Sequence, residues 1–402
     1  MIKKESINDL VIFGGEQAFR EKLYVGCPNI GNRQRLLTRI NEALDRRWLT
    51  NNGPNVQEFE KKVSEYIGVK HCIAVCNGTM GLEIASKAVA LTGEVIVPSF
   101  TFVATAHALK WMGITPVFCD IDSDTYMMDP RLIEELITQH TTAIMGVHLW
   151  GRPCKIEEIS QIADKHNLKV LFDAAHAFGA TYKGKNIGNF GNAEVFSFHA
   201  TKFLNTFEGG AIVTNDDHLA LKIRSMKNFG FDSGDNVISL GINGKMNEIS
   251  AAMGLTMLED VDELIAGNYR HYTEYGKALA GTKGIELMSY DEPEKYNYQY
   301  IVLEMDEEIS GVTRDQLVKI LNLENVLVRT YFAPGCHNMA PYCTAPSNFK
   351  QNLTVTESLA GRVICLPTGS AITKEQINHI CEIIRFVIKN GEEIKTRMDE
   401  LQ

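Results

Sequence analysis

Between Cys72 and Thr214 short apolar runs alternate with longer stretches whose apolar positions recur at helical spacing. The runs Cys72–Cys76, Glu94–Val97, Pro116–Ile121, Ala143–Leu149, Lys169–Phe172, Glu194–Phe198 and Gly210–Thr214 predict strands. Helical spacing appears between them at Thr79–Ala90, Phe102–Met112, Asp129–Thr138, Ile156–His166 and Asp216–Asn228. The strand runs are apolar at consecutive positions, which is the pattern of strands covered on both faces. Strand–helix–strand alternation of this kind predicts a mostly parallel sheet in a large α/β domain, over residues 31–246. Residues 1–30 read as an irregular lead-in. Beyond Gly244 the rhythm changes to a long helical stretch from Asn247 to about Leu279. After it come strand-like Tyr298–Glu304, helical Thr313–Leu321, strand-like Val326–Thr330 and a last helix near Lys374–Lys389. This mixture predicts a smaller α+β domain over 247–402.

Composition narrows the class. The chain has 402 residues, with 45% hydrophobic and 22% charged, values of an ordinary globular protein. A net charge of −10 with no long Lys/Arg run argues against a nucleic-acid backbone as partner. The nine cysteines are scattered and form no Cys-x-x-Cys, which suits a reducing cytosol. The apolar run Val95–Leu109 is shorter than the roughly 20 residues of a membrane-crossing helix. A cytoplasmic protein is expected, with no membrane partner. No His-x-x-x-His or Cys/His pairing at zinc spacing occurs among the eleven histidines, so no metal is expected. The glycines Gly184, Gly188 and Gly191 miss the Gly-x-Gly-x-x-Gly spacing of a nicotinamide site.

Open parallel sheets bind ligands at the carboxyl ends of their strands, so candidate chemistry is sought there. After the first strand, Asn77-Gly78-Thr79-Met80-Gly81 opens a helix and offers free amides and a hydroxyl to a phosphate. The same residues also read as an ordinary helix start capped by Asn77 or Thr79. Asp173-Ala174-Ala175-His176 follows another strand. A carboxylate at a buried strand end needs a partner, and an N-cap or structural ion pair for Asp173, with a packed core role for His176, reads as well as catalysis does. Lys202 lies in Ser197-Phe198-His199-Ala200-Thr201-Lys202-Phe203, a mainly apolar, aromatic-flanked setting. Such a lysine either has its pKa lowered and serves as nucleophile or proton shuttle, or packs its stem while the amine reaches water.

Taken in order, Asn77-Gly78-Thr79, Pro98-Ser99-Phe100-Thr101-Phe102, Asp173-Ala174-Ala175-His176, Ser197…Lys202 and Glu208-Gly209-Gly210 resemble the DegT/DnrJ/StrS sugar aminotransferases. The resemblance runs from about Trp48 to Ile388. It implies an aspartate-aminotransferase-like fold (pyridoxal-phosphate fold type I) and pyridoxal 5′-phosphate as cofactor. Lys202 matches the lysine that bonds the cofactor, Asp173 the carboxylate at its ring nitrogen, and His176 the neighbour near its hydroxyl or ring. Phe102 occupies the position that stacks on the ring. Gly78, Thr79, the Met80 amide and Ser197 match phosphate ligands. Gly241-Ile242-Asn243-Gly244-Lys245-Met246 resembles a Gly-x-Asn-x-Arg segment whose asparagine reaches the phosphate of the neighbouring subunit. This implies a homodimer with shared sites. Lys245 stands where that segment usually has arginine.

Trp48-Leu49-Thr50-Asn51-Asn52-Gly53-Pro54, the combination Ala200-Thr201-Lys202…Asn205-Thr206-Phe207-Glu208, and Ile242–Glu248 resemble the branch acting on dTDP-4-keto-6-deoxyglucose, with glutamate as amino donor and amination at C4. Thr50–Gly53 is equally readable as a turn. Arg329-Thr330-Tyr331-Phe332-Ala333-Pro334-Gly335-Cys336-His337 resembles a substrate-facing loop. Within it Arg329 and His337, with Lys245, are the nucleotide-sugar contacts that the resemblance suggests, although a structural Arg and a packed His are open readings. A relative aminating C3 or another nucleotide sugar is the alternative within the family. A dehydratase branch carries histidine in the lysine position, which Lys202 argues against. A cofactor-binding sensor without turnover is the alternative of a different class.

Overall fold

The computed structural model describes residues 1–291, 293–343 and 353–401. Its centre is a seven-stranded sheet of β1 (His71–Val75), β2 (Glu94–Pro98), β3 (Thr115–Cys119), β4 (Thr141–Val147), β5 (Lys169–Asp173), β6 (Ala193–Ser197) and β7 (Gly210–Thr214), in the order β1-β7-β6-β5-β4-β2-β3. Only β7 runs against its neighbours; the remaining adjacent pairs are parallel. Each observed strand lies within two residues of its expected bounds at either end.

Consecutive apolar residues are explained by two separate cores. Cys72, Ala74, Ile96, Ile144, Phe172, Phe196 and Ala211 face one; Ile73, Val75, Val95, Val97, Met145, Leu171, Val195 and Ile212 face the other. Alternation is therefore present, but both faces are dry because helices cover both. The first core is closed by α1 (Arg33–Arg46), α2 (Pro54–Ile67) and the helix Ile156–Lys165; the second by α3 (Gly78–Ala88), α4 (Ala104–Trp111) and the helix Asp217–Met226.

The helical stretch after Asn247 is two helices, Glu248–Glu259 and Val261–Leu279, broken at Asp260. The first is capped by the Asn247 side chain, and its Ala251, Ala252, Met253 and Leu255 pack into the first core beside Phe59. Glu248 is fully buried, and its carboxylate accepts the amides of Asn55 and Val56 at the start of α2. A separate core gathers around a three-stranded sheet of β8 (Ile285–Leu287), β9 (Ile301–Met305) and β10 (Val363–Leu366). The helices Arg314–Leu323 and Lys374–Lys389 pack on it. Residues expected to be an irregular lead-in join this core: Ile7, Leu10, Phe19 and Leu23 are buried there, and Leu23–Tyr24 pairs with Val326–Leu327. Lys4 is itself buried there against Glu324. Among the described residues no helix is long and apolar enough to cross a membrane.

Candidate active site

A cavity of about 550 Å³ opens at the carboxyl edge of the central sheet. Chain segments leaving that edge supply most of its polar groups. Asp173 ends β5 and Ser197 ends β6, so both side chains emerge where the parallel strands stop. After β1, Asn77 caps α3 by accepting the Met80 amide at 2.8 Å. The next turn is pressed against β6 and β7. A Cβ on Gly78 would stand 3.0 Å from Ser197 Cβ, and one on Gly210 would stand 2.9 Å from the Gly78 nitrogen. At Gly210, where the neighbouring atoms are backbone, only glycine permits that approach. The amides of Gly78 and Thr79 precede the intrahelical ladder and face the positive end of α3.

Lys202 sits in the connection between β6 and β7, which is held by backbone bonds Phe198 N to Gly209 O and Thr206 N to Phe198 O, both 2.8 Å. Asn29 and Asn205 tie the same connection to the N-terminal segment: Asn29 donates to Phe203 O at 2.8 Å and Asn205 to Asn29 O at 2.9 Å. The Lys202 ammonium donates to the Tyr300 hydroxyl at 3.2 Å. Burial pushes its pKa down to about 8, with the nearby Asp173 charge acting in the opposite direction.

Asp173 is buried and accepts from the Thr105 hydroxyl at 2.8 Å and the Ala175 amide at 3.1 Å. Burial raises its pKa, and those two bonds, with the positive charge of Lys202, oppose the rise. His176 is buried, its Nδ1 facing the Trp150 amide at 3.3 Å and its Nε2 the Tyr300 hydroxyl at 3.1 Å. Burial, reinforced by Lys202, holds the imidazole well below its ordinary pKa and therefore neutral. Behind this layer the fully buried His148 and Glu194 pair at 3.2 Å, and Glu194 also accepts the amides of Gly188 and Phe190.

The amino-acid chain matches the model of the DegT/DnrJ/EryC1/StrS aminotransferase family over residues 31–385. The chain belongs to that family. Its relatives include a dTDP-4-amino-4,6-dideoxy-D-glucose transaminase of Escherichia coli, 38% identical over 89% of this chain and 96% of that protein. A GDP-perosamine synthase of Caulobacter vibrioides is 36% identical over 91% of this chain and 98% of that one. Among solved structures, DesI in the presence of its TDP-sugar product superposes with a TM-score of 0.95, at 46% identity, covering 98% of this chain and 100% of that chain. The protein is thus an aminotransferase of a pyridoxal-phosphate-dependent, nucleotide-sugar-modifying family, with that family's fold.

The donor set of this family member suits the cofactor. The cavity offers a carboxylate, a lysine of lowered pKa, the first amides of α3 and the neutral hydroxyls of Thr79 and Ser197. Amides and hydroxyls suit a phosphate dianion without buried cations. Of the residues singled out in the sequence, Gly78, Thr79, Met80, Phe102, Asp173, His176, Ser197 and Lys202 line this one cavity. Phe102 does so while 54% exposed. The Met80 amide differs from its expected phosphate role here, because the Asn77 carboxamide already takes its hydrogen.

Four others do not line the cavity. Asn243 is exposed and pairs by backbone with Asn228. Lys245 donates to Asn228 Oδ1 at 2.7 Å and lies over the Phe229 ring. Arg329 is exposed, its backbone paired with Cys365. His337 is engaged by Ser99 Oγ at 2.6 Å and Glu357 at 3.1 Å, which latches its loop to the end of β2. The loop does face the cavity, but through Tyr331 and Phe332. Asn51 and Asn52 form a turn, both with φ of +59°, leading to the Gly53 cap of α2.

Thr105, Tyr300, Tyr331 and Phe332 were not singled out as site residues in the sequence. Thr105 lies in the first turn of α4, and its hydroxyl meets that of Thr101, which precedes the helix, at 3.0 Å. Tyr300 had no local signal, since it arrives from the smaller sheet just before β9.

Proposed function

We propose that this aminotransferase moves the amino group of glutamate to C4 of dTDP-4-keto-6-deoxyglucose, giving dTDP-4-amino-4,6-dideoxyglucose. The observation carrying this reading is the 46% identity, over 98% of this chain, to a structure solved with its TDP-sugar product. The transaminases of Escherichia coli and Shigella dysenteriae named for the same product, each 38% identical, support it.

In this reading pyridoxal phosphate supplies, when bound, an electron sink for the carbon that loses its proton. Asp173 would hold the ring nitrogen, its carboxylate oriented by Thr105 and Ala175. Gly78, Thr79 and Ser197 would hold the phosphate, Phe102 would cover the ring, and Lys202 would bond the cofactor. Once freed, the Lys202 amine takes the proton from Cα of glutamate and later delivers one to C4 of the sugar. Burial lowers the pKa of that amine from its ordinary value, which favours its acting as a base as well as an acid. His176 stays neutral and anchors by hydrogen bonding. The working unit is a homodimer in which Asn243 and Lys245 face the neighbour's site. Exposed Val237, Ile238 and Leu240 beside Asn243 support a covered surface there.

The test supplies glutamate with dTDP-4-keto-6-deoxyglucose, GDP-4-keto-6-deoxymannose and a dTDP-3-keto sugar, and locates the new amine by NMR. Amination at C4 of the dTDP sugar with at least tenfold preference in kcat/KM is expected. Preference for the GDP sugar, or a C3 amine, would replace the assignment.

A further inference from the structure

Lys202 and His176 hang from the edge of the large sheet, whereas Tyr300 comes from the residue before β9 of the smaller one. The Tyr300 hydroxyl is the point where they meet, 3.2 Å from Lys202 Nζ and 3.1 Å from His176 Nε2. The rings of His176 and Tyr300 lie 4.7 Å apart and tilted by 45°, so the hydroxyl is aimed by ring packing as well as by hydrogen bonding. His176 is fixed in turn from behind: Trp150 adopts a left-handed backbone, φ +52°, and turns its amide onto His176 Nδ1. The carbonyl of His176 is clamped by the side-chain amides of Asn297 at 2.7 Å and Gln299 at 2.6 Å. Asn297 and Gln299 belong to the same segment as Tyr300. The segment is thereby locked to the large sheet immediately ahead of Tyr300.

We propose that Tyr300 is a positioning residue for Lys202: its hydroxyl docks the amine whenever that amine is not bonded to the cofactor, and so holds the proton carrier beside the reacting carbon. The dock does not compete for the proton. Burial holds the Tyr300 phenol well above its ordinary pKa and the His176 imidazole well below its own. Neither partner changes charge near neutral pH, so the mobile proton stays on Lys202. The carboxylate of Asp173 is a charged group that acts on that amine through space. Without the dock a flexible four-carbon side chain samples rotamers away from the carbon, and each loss of alignment slows proton transfer.

The inference rests on Lys202 being the proton carrier of the proposed reaction, so its test includes a measurement that needs neither cofactor nor sugar. In cofactor-free protein, trace acetic anhydride labelling across pH, read peptide by peptide, reports the titration of Lys202. Tyr300→Phe keeps the ring that packs on His176 and removes only the oxygen that accepts from Lys202. Losing that acceptor disfavours the charged amine, so the midpoint should fall by about one pH unit. Tyr331→Phe, a neighbouring cavity tyrosine without that bond, should leave the midpoint in place. In loaded enzyme, Tyr300→Phe should lower the single-turnover rate with glutamate about tenfold, with KM changed less than about twofold. An unchanged Lys202 midpoint in folded Tyr300→Phe protein overturns the dock whatever sugar the enzyme uses. A shifted midpoint with an unchanged single-turnover rate overturns the claim that docking serves proton transfer.

Discussion

Lys4 and Lys202 are both drawn into the protein, and they are treated in opposite ways. The Lys4 side chain is 1% exposed and meets the Glu324 carboxylate at 2.8 Å. It also donates to the carbonyls of Asp9 and Glu16, and Glu324 accepts the amides of Val11 and Ala18. Every hydrogen of that ammonium has an acceptor. Lys202 has one neutral hydroxyl as hydrogen-bond partner and a carboxylate, Asp173, that acts on it only through space. A buried charge with a full set of partners fixes a fold; one left short of partners is ready to lose its proton. The contrast separates a strap that joins the N-terminus to the smaller core from a site that does chemistry.

Removing the under-partnered lysine should have the largest effect on turnover. Lys202→Ala deletes both the bond to the cofactor and the proton carrier, and should lower kcat by at least about 10⁴-fold. Circular dichroism and gel filtration should match the parent protein. Activity within tenfold of the parent would place the chemistry on another residue and dissolve the contrast.

The opposite outcome is expected at the strap. Lys4→Met leaves Glu324 buried without its cation, and loss of one partner of a buried pair costs about 3–5 kcal/mol. Urea denaturation should show a loss of that size, while kcat of the folded fraction stays within about twofold. If the melting curve does not move, the pair contributes no net stability and Lys4 is no structural counterpart to Lys202.

The two lysines also differ in how far the sequence revealed them. Lys202 was visible because its flanks, Ser197-Phe198 before it and Glu208-Gly209-Gly210 after it, stand in a fixed order along one segment. Asp173 and the Gly78-Thr79 turn were visible for the same reason: each immediately follows an apolar strand run, and a parallel sheet delivers all such positions to one edge. Lys4 carried no such local signal, because its partner Glu324 is 320 residues away in the chain. Tyr300 was hidden likewise, as it is brought in by a different sheet. The starts of α1 and α2 had local signals, the Asn32 cap and Pro54 after Gly53, that were not drawn on. Asp260 interrupts a helix within a stretch whose composition stays helical throughout. Local pattern carries strands and the residues next to them; contacts between distant segments leave no trace in spacing.

The finest discrimination comes from stability rather than activity. In protein without cofactor, the pKa of Lys202 is lowered from the ordinary 10.5 to about 8. Between those values the unfolded chain binds more protons at this residue than the folded one, so stability should rise with pH from about 8 to 10.5. Below pH 8 the folded protein carries the full cost of a crowded ammonium. Lys202→Met removes that cost, and the cofactor-free variant should be more stable than its parent at pH 7 by about 1–2 kcal/mol. This is less than the whole shift converts to, because the amine borders an open cavity. The advantage should shrink as pH approaches 10.5, in contrast to the loss expected for Lys4→Met at neutral pH. Equal stability of parent and Lys202→Met at pH 7, measured by urea denaturation without cofactor, would mean that the site holds its lysine without strain.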